Sequence, residues 1–96
     1  MTLVWSRAAA RDLEDLAAYI AQDSEQAAGL VENRIHKAAK LLLLIPHAGR
    51  LGRTSGTREL VVLRTPYILV YTAESDRIRI LRVYHGARRW SSRFEP

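Results

Sequence analysis

Ninety-six residues make one domain, spanning 1–96, with a single modest core and no room for a second. The chain has no cysteine, which excludes a disulfide framework and thiol chemistry. Its three histidines, His36, His47 and His85, lack the short paired spacing of a zinc site, so neither a metal nor another cofactor is expected.

At the N-terminus, Leu3-Val4-Trp5 is short and apolar and Ser6 follows as an N-cap, so a strand is expected to run into a helix. From residue 7 to about 22, Ala9, Leu13, Leu16, Ala17 and Ile20 recur at helical spacing while Arg11, Asp12, Glu14, Asp15 and Gln22 stay polar. Asp23 or Ser24 caps a second helix, with Glu25 in its favoured first-turn place. Its inward stripe is Val31, Ile35, Ala38, Leu42 and Ile45, and Pro46 ends it. So few residues separate the two helices that they must form an antiparallel αα-hairpin. The run 41–45 is apolar on nearly all sides, and either the sheet covers it or a partner does. That run is also the longest apolar stretch, far too short to cross a bilayer; with no long apolar segment at the N-terminus, a cytoplasmic protein without membrane contact is expected.

Residues 47–56 form a basic, glycine-rich loop. A phosphate cradle there would need a helix N-terminus behind it, and none follows, so a flexible surface connection is the plainer expectation. Three runs rich in β-branched and aromatic residues come next, at 60–63, 67–71 and 78–84, broken by the turn sequences Thr65-Pro66 and Glu74-Ser75-Asp76. They predict a three-stranded antiparallel meander. The fold class is α+β: an N-terminal strand and an αα-hairpin packed on a small, twisted, mainly antiparallel sheet. Alternation breaks within the last strand. Ile78 and Ile80 share a face with Arg82, but Leu81 and Val83 share the other with Arg79 and His85, which predicts a bulge or a strand covered on both faces. Arg82 then sits among apolar neighbours and needs either a carboxylate, with Glu59 and Glu14 as candidates, or an outside ligand.

Charge is divided unevenly. Five basic residues meet six acidic ones up to residue 48, whereas ten arginines meet four carboxylates from residue 49 onward, within an overall +5. Such asymmetry points to an acidic or polyanionic partner, and arginine in place of lysine favours bidentate contacts to phosphate or carboxylate. A basic face kept for solubility is the alternative.

The ordered pieces Trp5-Ser6, Asp12-Leu13, Tyr19-Ile20-Ala21, Pro46-His47-Ala48-Gly49-Arg50, Gly56-Thr57-Arg58-Glu59-Leu60, Pro66-Tyr67-Ile68-Leu69-Val70-Tyr71 and Val83-Tyr84-His85-Gly86-Ala87-Arg88-Arg89-Trp90 cover nearly the whole chain. As a set they resemble the RelE/ParE superfamily, the toxins of type II toxin–antitoxin modules. The resemblance implies a helical hairpin on a largely antiparallel sheet and a small antitoxin, with a DNA-binding domain and a toxin-wrapping segment, in a hetero-oligomer. RelE-like members cleave mRNA in the ribosome with basic residues on the sheet, but the matching positions here hold Glu59, Val61 and Ile68, with Gly86 near a further one. A ParE-like protein that binds DNA gyrase is therefore expected rather than an enzyme. A ribosome-dependent endonuclease built from Arg82, His85, Arg88 and Glu59 is the first alternative, and a family member retaining only antitoxin binding is the second. On this reading Arg58, Arg64, Arg79, Arg82, His85, Arg88 and Trp90 meet target or antitoxin, and Leu13, Leu16, Ile20, Leu41 and Leu44 are the apolar residues facing the antitoxin.

Overall fold

The computed structural model describes residues 1–87. The elements are β1 (Thr2–Trp5), α1 (Arg7–Ala21), α2 (Glu25–Leu41), β2 (Arg50–Leu51), β3 (Arg58–Val61), β4 (Tyr67–Ala73) and β5 (Arg77–His85). The five strands lie in the order β1-β5-β4-β3-β2. β1 runs parallel to β5, and every other neighbouring pair is antiparallel. The α+β architecture and the C-terminal meander are therefore those expected from the sequence. Among the described residues no helix is long and apolar enough to cross a membrane.

Both helices start where their caps place them. The Ser6 hydroxyl accepts from the Ala9 N–H at 3.0 Å and donates to the Leu81 carbonyl at 2.8 Å, so one side chain both caps α1 and fastens it to β5. Of the two candidate caps of α2 it is Ser24 that serves, accepting from the Ala27 N–H at 3.0 Å. Ala9, Leu13 and Leu16 of α1 and Ile35 and Ala39 of α2 are buried against Tyr67, Leu69, Tyr71, Ile78, Ile80 and Val83 of the sheet.

A short strand, β2, lies inside the stretch 47–56 expected to be a loop, and two boundaries differ most from expectation. α2 ends at Leu41 instead of continuing to Pro46, because a proline ring collides with the carbonyl four residues earlier and its predecessor is pushed out of helical geometry. The chain closes instead through tight bonds from Leu43 N to Lys40 O and Leu44 N to Leu41 O. Leu42 and Leu43 still reach the core, but Leu41 and Ile45 are about half exposed and Leu44 is 80% exposed, so only part of this run is covered. The first meander strand lies at Arg58–Val61, two residues earlier than its apolar run suggested. Thr65 explains the shift. Its N–H and its hydroxyl both donate to the Val62 carbonyl, at 3.2 and 2.9 Å, and the hydroxyl accepts from Tyr67 N, closing a turn that leaves Leu63 at an exposed tip.

The broken alternation of the last strand is a β-bulge. Val70 pairs with Arg82 and Tyr71 with Ile80, so Leu81 is the extra residue, and Ile80 and Val83 both reach the core beneath the helices.

Candidate functional site

β1 ends at Trp5 opposite Ile80, and the rest of β5 loses its neighbour on that side. Asp12 of α1 takes the place. Its carboxylate accepts from Arg82 Nε at 2.7 Å, from an Arg82 terminal nitrogen at 2.9 Å and from the Val83 N–H at 2.9 Å. The carboxylate that Arg82 requires is thus Asp12, not Glu59 or Glu14. Hydrogen bonding to Asp12 raises the guanidinium pKa further, and its carbon stands 4.7 Å from the centre of the Tyr84 ring. Burial in turn raises the Tyr84 phenol.

The other sheet arginines are also engaged. Arg77 Nε donates to Glu74 at 3.0 Å, and Arg79 lies 3.8 Å from the second oxygen of the same carboxylate. Those contacts, the Arg77 hydrogen bond foremost, hold the Glu74 carboxyl below its usual value. Arg58 donates to the Gly49 carbonyl at 2.8 Å; the Gly49 N–H donates to the Tyr71 hydroxyl at 2.9 Å, and that hydroxyl donates to the Pro46 carbonyl at 2.8 Å. Burial raises the Tyr71 pKa.

Glu59, the candidate base of a nuclease, is only 2% exposed. One oxygen accepts from Arg50 at 3.1 Å and the other from the Arg53 backbone N–H at 2.9 Å. These contacts pin the glycine-rich loop to the sheet, so it is not the slack connection its composition suggested. A Cβ on Gly49 would stand 2.8 Å from both the Glu59 carbonyl oxygen and the Tyr71 ring. His85 ends β5 half-buried, its ring edge-on to Tyr67 at 5.5 Å, and its Nδ1 accepts from the Ala87 N–H at 3.1 Å. In the neutral ring that places the proton on Nε2. Arg88 and Trp90 lie outside the described residues.

Of the five apolar residues assigned to an antitoxin, Leu13 and Leu16 are buried in the core and cannot face a partner, because the α1 stripe that carries them is the one that roofs the sheet. Ile20 packs half-buried beside them, whereas Leu41 and Leu44 are exposed. Leu41 lines a groove of ≈ 680 Å³ between α2 and the β3–β4 hairpin, floored by Leu60 and Val62 and flanked by Leu30, Val61 and Leu63. Its charged lining is Arg34, Lys37 and Arg64. Arg64 is the third residue of the hairpin turn, at a left-handed φ of 64°, and its carbonyl accepts from Arg34 at 3.1 Å across the groove. Leu30, Arg34 and Lys37 escaped sequence reasoning because on α2 they look like an ordinary solvated face. One signal was present: Leu30 is apolar yet lies off the inward stripe.

The family model described as "ParE toxin of type II toxin-antitoxin system, parDE" matches residues 3–90. The protein named "Putative toxin Y4kP" from Sinorhizobium fredii is 41% identical over 86 residues, covering 90% of this chain and 88% of its own length. Toxin RelE2 from Caulobacter vibrioides is 38% identical over 86 residues, covering 90% of this chain and 96% of its own. Among solved structures, a chain of "Chromosomal ParDE TA system from P. aeruginosa" superposes with a TM-score of 0.78 at 28% identity, covering 88% of this chain and 95% of that one. With the helical hairpin, the five-strand order and the bulged last strand in place, the chain belongs to the ParE toxin family of type II toxin–antitoxin systems.

Proposed function

We propose that this toxin acts by binding, with DNA gyrase as its target, and that a small cognate antitoxin neutralises it in a hetero-oligomer. The observation that carries the reading is that two of the candidate catalytic groups of the sheet, Arg82 and Glu59, are engaged by other residues of the fold. Arg82 is bidentate to Asp12, and Glu59 is buried between Arg50 and the Arg53 backbone. General acid–base catalysis requires a positioned group that reaches the substrate; the Glu59 carboxylate is instead buried and hydrogen-bonded within the fold, and the Arg82 guanidinium is paired with Asp12. A gyrase inhibitor needs only a shaped, charged surface. The exposed apolar run at Leu41 and Leu44 supports the antitoxin half of the reading, since an uncovered patch of that kind marks a protein-binding surface.

A second reading, ribosome-dependent mRNA cleavage, is favoured by His85. It is the one imidazole on the sheet among the described residues, and it packs against Tyr67. The two are separated by adding purified toxin to a supercoiling assay and to a translating extract. Loss of gyrase supercoiling with intact mRNA is the expected result. Site-specific mRNA cleavage that falls about 100-fold in His85→Gln, the scale of a proton-transfer contribution, overturns the proposal.

A further inference from the structure

The segment between α2 and β3 carries charge of one sign. From residue 46 to residue 58 there is no carboxylate, while Arg50, Arg53 and Arg58 each bring a guanidinium group. Arg58 is folded onto the Gly49 carbonyl, but Arg50 and Arg53 stay at the surface, with side chains 58% and 49% exposed. Both are held at the base by the buried Glu59 carboxylate. Arg50 gives it one terminal N–H at 3.1 Å, and Arg53 gives it the backbone N–H at 2.9 Å with its Nε at 3.8 Å. A buried ion pair is a poor stabiliser, because desolvation offsets most of its attraction. What Glu59 does fix is where two guanidinium groups stand at the surface.

Leu51 lies between them in the chain and points to the other face. Register pairs Arg50 with Glu59 and Leu51 with Arg58, so Leu51 shares the face of Tyr71. Tyr71 is fully buried, yet Leu51, two strands further out at the sheet's edge, is 78% exposed and belongs neither to the core nor to the residues packed against it. We propose that this edge, Arg50-Leu51 with Arg53, is the surface by which the toxin grips its target, and that it fits a protein surface with carboxylates around an apolar hollow. Arginines already held in place lose less freedom on docking, and their planar forks suit carboxylates. Leu51 asks for an apolar cavity, which a phosphate backbone does not offer. The edge is also separate from the groove beside α2, since neither Arg50 nor Leu51 lines it.

The inference rests on the proposal that the toxin inhibits gyrase by binding, and the two are tested separately. Full-length toxin and its variants are titrated into a supercoiling assay, and binding to purified gyrase is followed by calorimetry. Leu51→Ser is expected to raise the half-inhibitory concentration about tenfold, the scale of one leucine left uncovered. Leu51→Asp should raise it about 100-fold or more, because it sets a like charge against the acidic partner. Arg50→Lys keeps the ion pair to Glu59 but loses the planar fork, and should raise it about tenfold. All three should keep the wild-type far-ultraviolet spectrum. If wild-type toxin inhibits gyrase and both Leu51 variants inhibit it as strongly, the assigned surface is wrong while gyrase inhibition stands. A wild-type toxin without effect on gyrase removes the inhibition proposal and the surface together. If the toxin binds bare duplex DNA at its inhibitory concentrations, and Leu51→Lys tightens both that binding and the inhibition, the edge is a phosphate-binding surface and the inference is overturned.

Discussion

At the scale of single residues, Asp12 does what a sixth strand would otherwise do. It supplies acceptors to the stretch of β5 that β1 leaves bare, at 2.7 to 2.9 Å from Arg82 and from the Val83 N–H. Charge-assisted bonds of this kind contribute more than neutral ones, and the two side chains are 29% and 17% exposed, so screening is only partial. Asp12→Ala leaves a guanidinium and a strand N–H unpaired at once, and is expected to cost about 2 to 3 kcal/mol of stability. Arg79→Ala, which loses a 3.8 Å contact to a more exposed carboxylate, should cost about 0 to 1 kcal/mol. Urea unfolding of the two variants decides it: equal losses would mean that Asp12 is a surface ion pair and not the cover of the strand edge. A consequence for function follows. Arg82 is built into the fold, so a change there alters folding before it alters recognition.

Among the elements, the segment between α2 and β3 is the least regular and among the most tightly held. Arg58, Tyr71 and Pro46 meet around Gly49, and the glycine's missing side chain is what lets the loop lie on the sheet. Gly49→Ala would drive a methyl into the Glu59 carbonyl and the Tyr71 ring, costing about 1 to 3 kcal/mol or more as overpacking does. Gly29 is the opposite case. It sits inside α2, and a methyl added there would meet nothing within 4 Å, so Gly29→Ala should stabilise the protein by about 0.5 to 1 kcal/mol through helix propensity alone. Denaturation midpoints moving in opposite directions for these two substitutions are the expected outcome; a neutral Gly49→Ala would show that the loop can lift from the sheet.

For the whole molecule, the decisive feature is that the first strand pairs with the last. Thr2 to Trp5 lie in parallel register against Arg77 to Ile80, and Ser6 then fastens α1 to the same strand. Parallel pairing across the length of the chain carries a large loop-closure cost before its contacts form, so it is expected to follow the local hairpins of the meander. Deleting residues 1–5 bares the β5 edge and removes the half-buried Leu3 and Trp5. Two half-buried apolar side chains contribute roughly 2 to 4 kcal/mol, a large share of the total stability of a small domain, typically about 5 to 15 kcal/mol. The truncated chain is expected to unfold at lower denaturant and to associate in a concentration-dependent way through the exposed edge. Sedimentation of a stable monomer would show that β1 contributes little.

Local chemistry made much of this legible in the sequence. Ser6 and Ser24 mark helix starts because capping is a contact between residues three apart, and the meander is readable because its turns carry their own hydrogen-bonding side chains. Even the bulge at Leu81 is visible as a lost step in the alternation. What stayed hidden depends on contacts between distant segments. Asp12 and Arg82 are 70 residues apart, and their pairing is set by where α1 crosses β5, which no periodicity records. The same holds for Leu13 and Leu16: a helical stripe reveals that a face is buried, not whether the sheet or a partner buries it. The groove exists only because packing brings Arg34 and Lys37 of α2 beside Val61 of β3. The sequence by itself determined the two helices, the four longer strands, the fold class and the family, since those follow from short-range spacing and ordered motifs, whereas the two-residue β2 lay unseen in the glycine-rich loop. The tertiary structure alone decided which arginines are spent inside the fold and which surface stays open, because burial and charge pairing depend on the whole chain's packing.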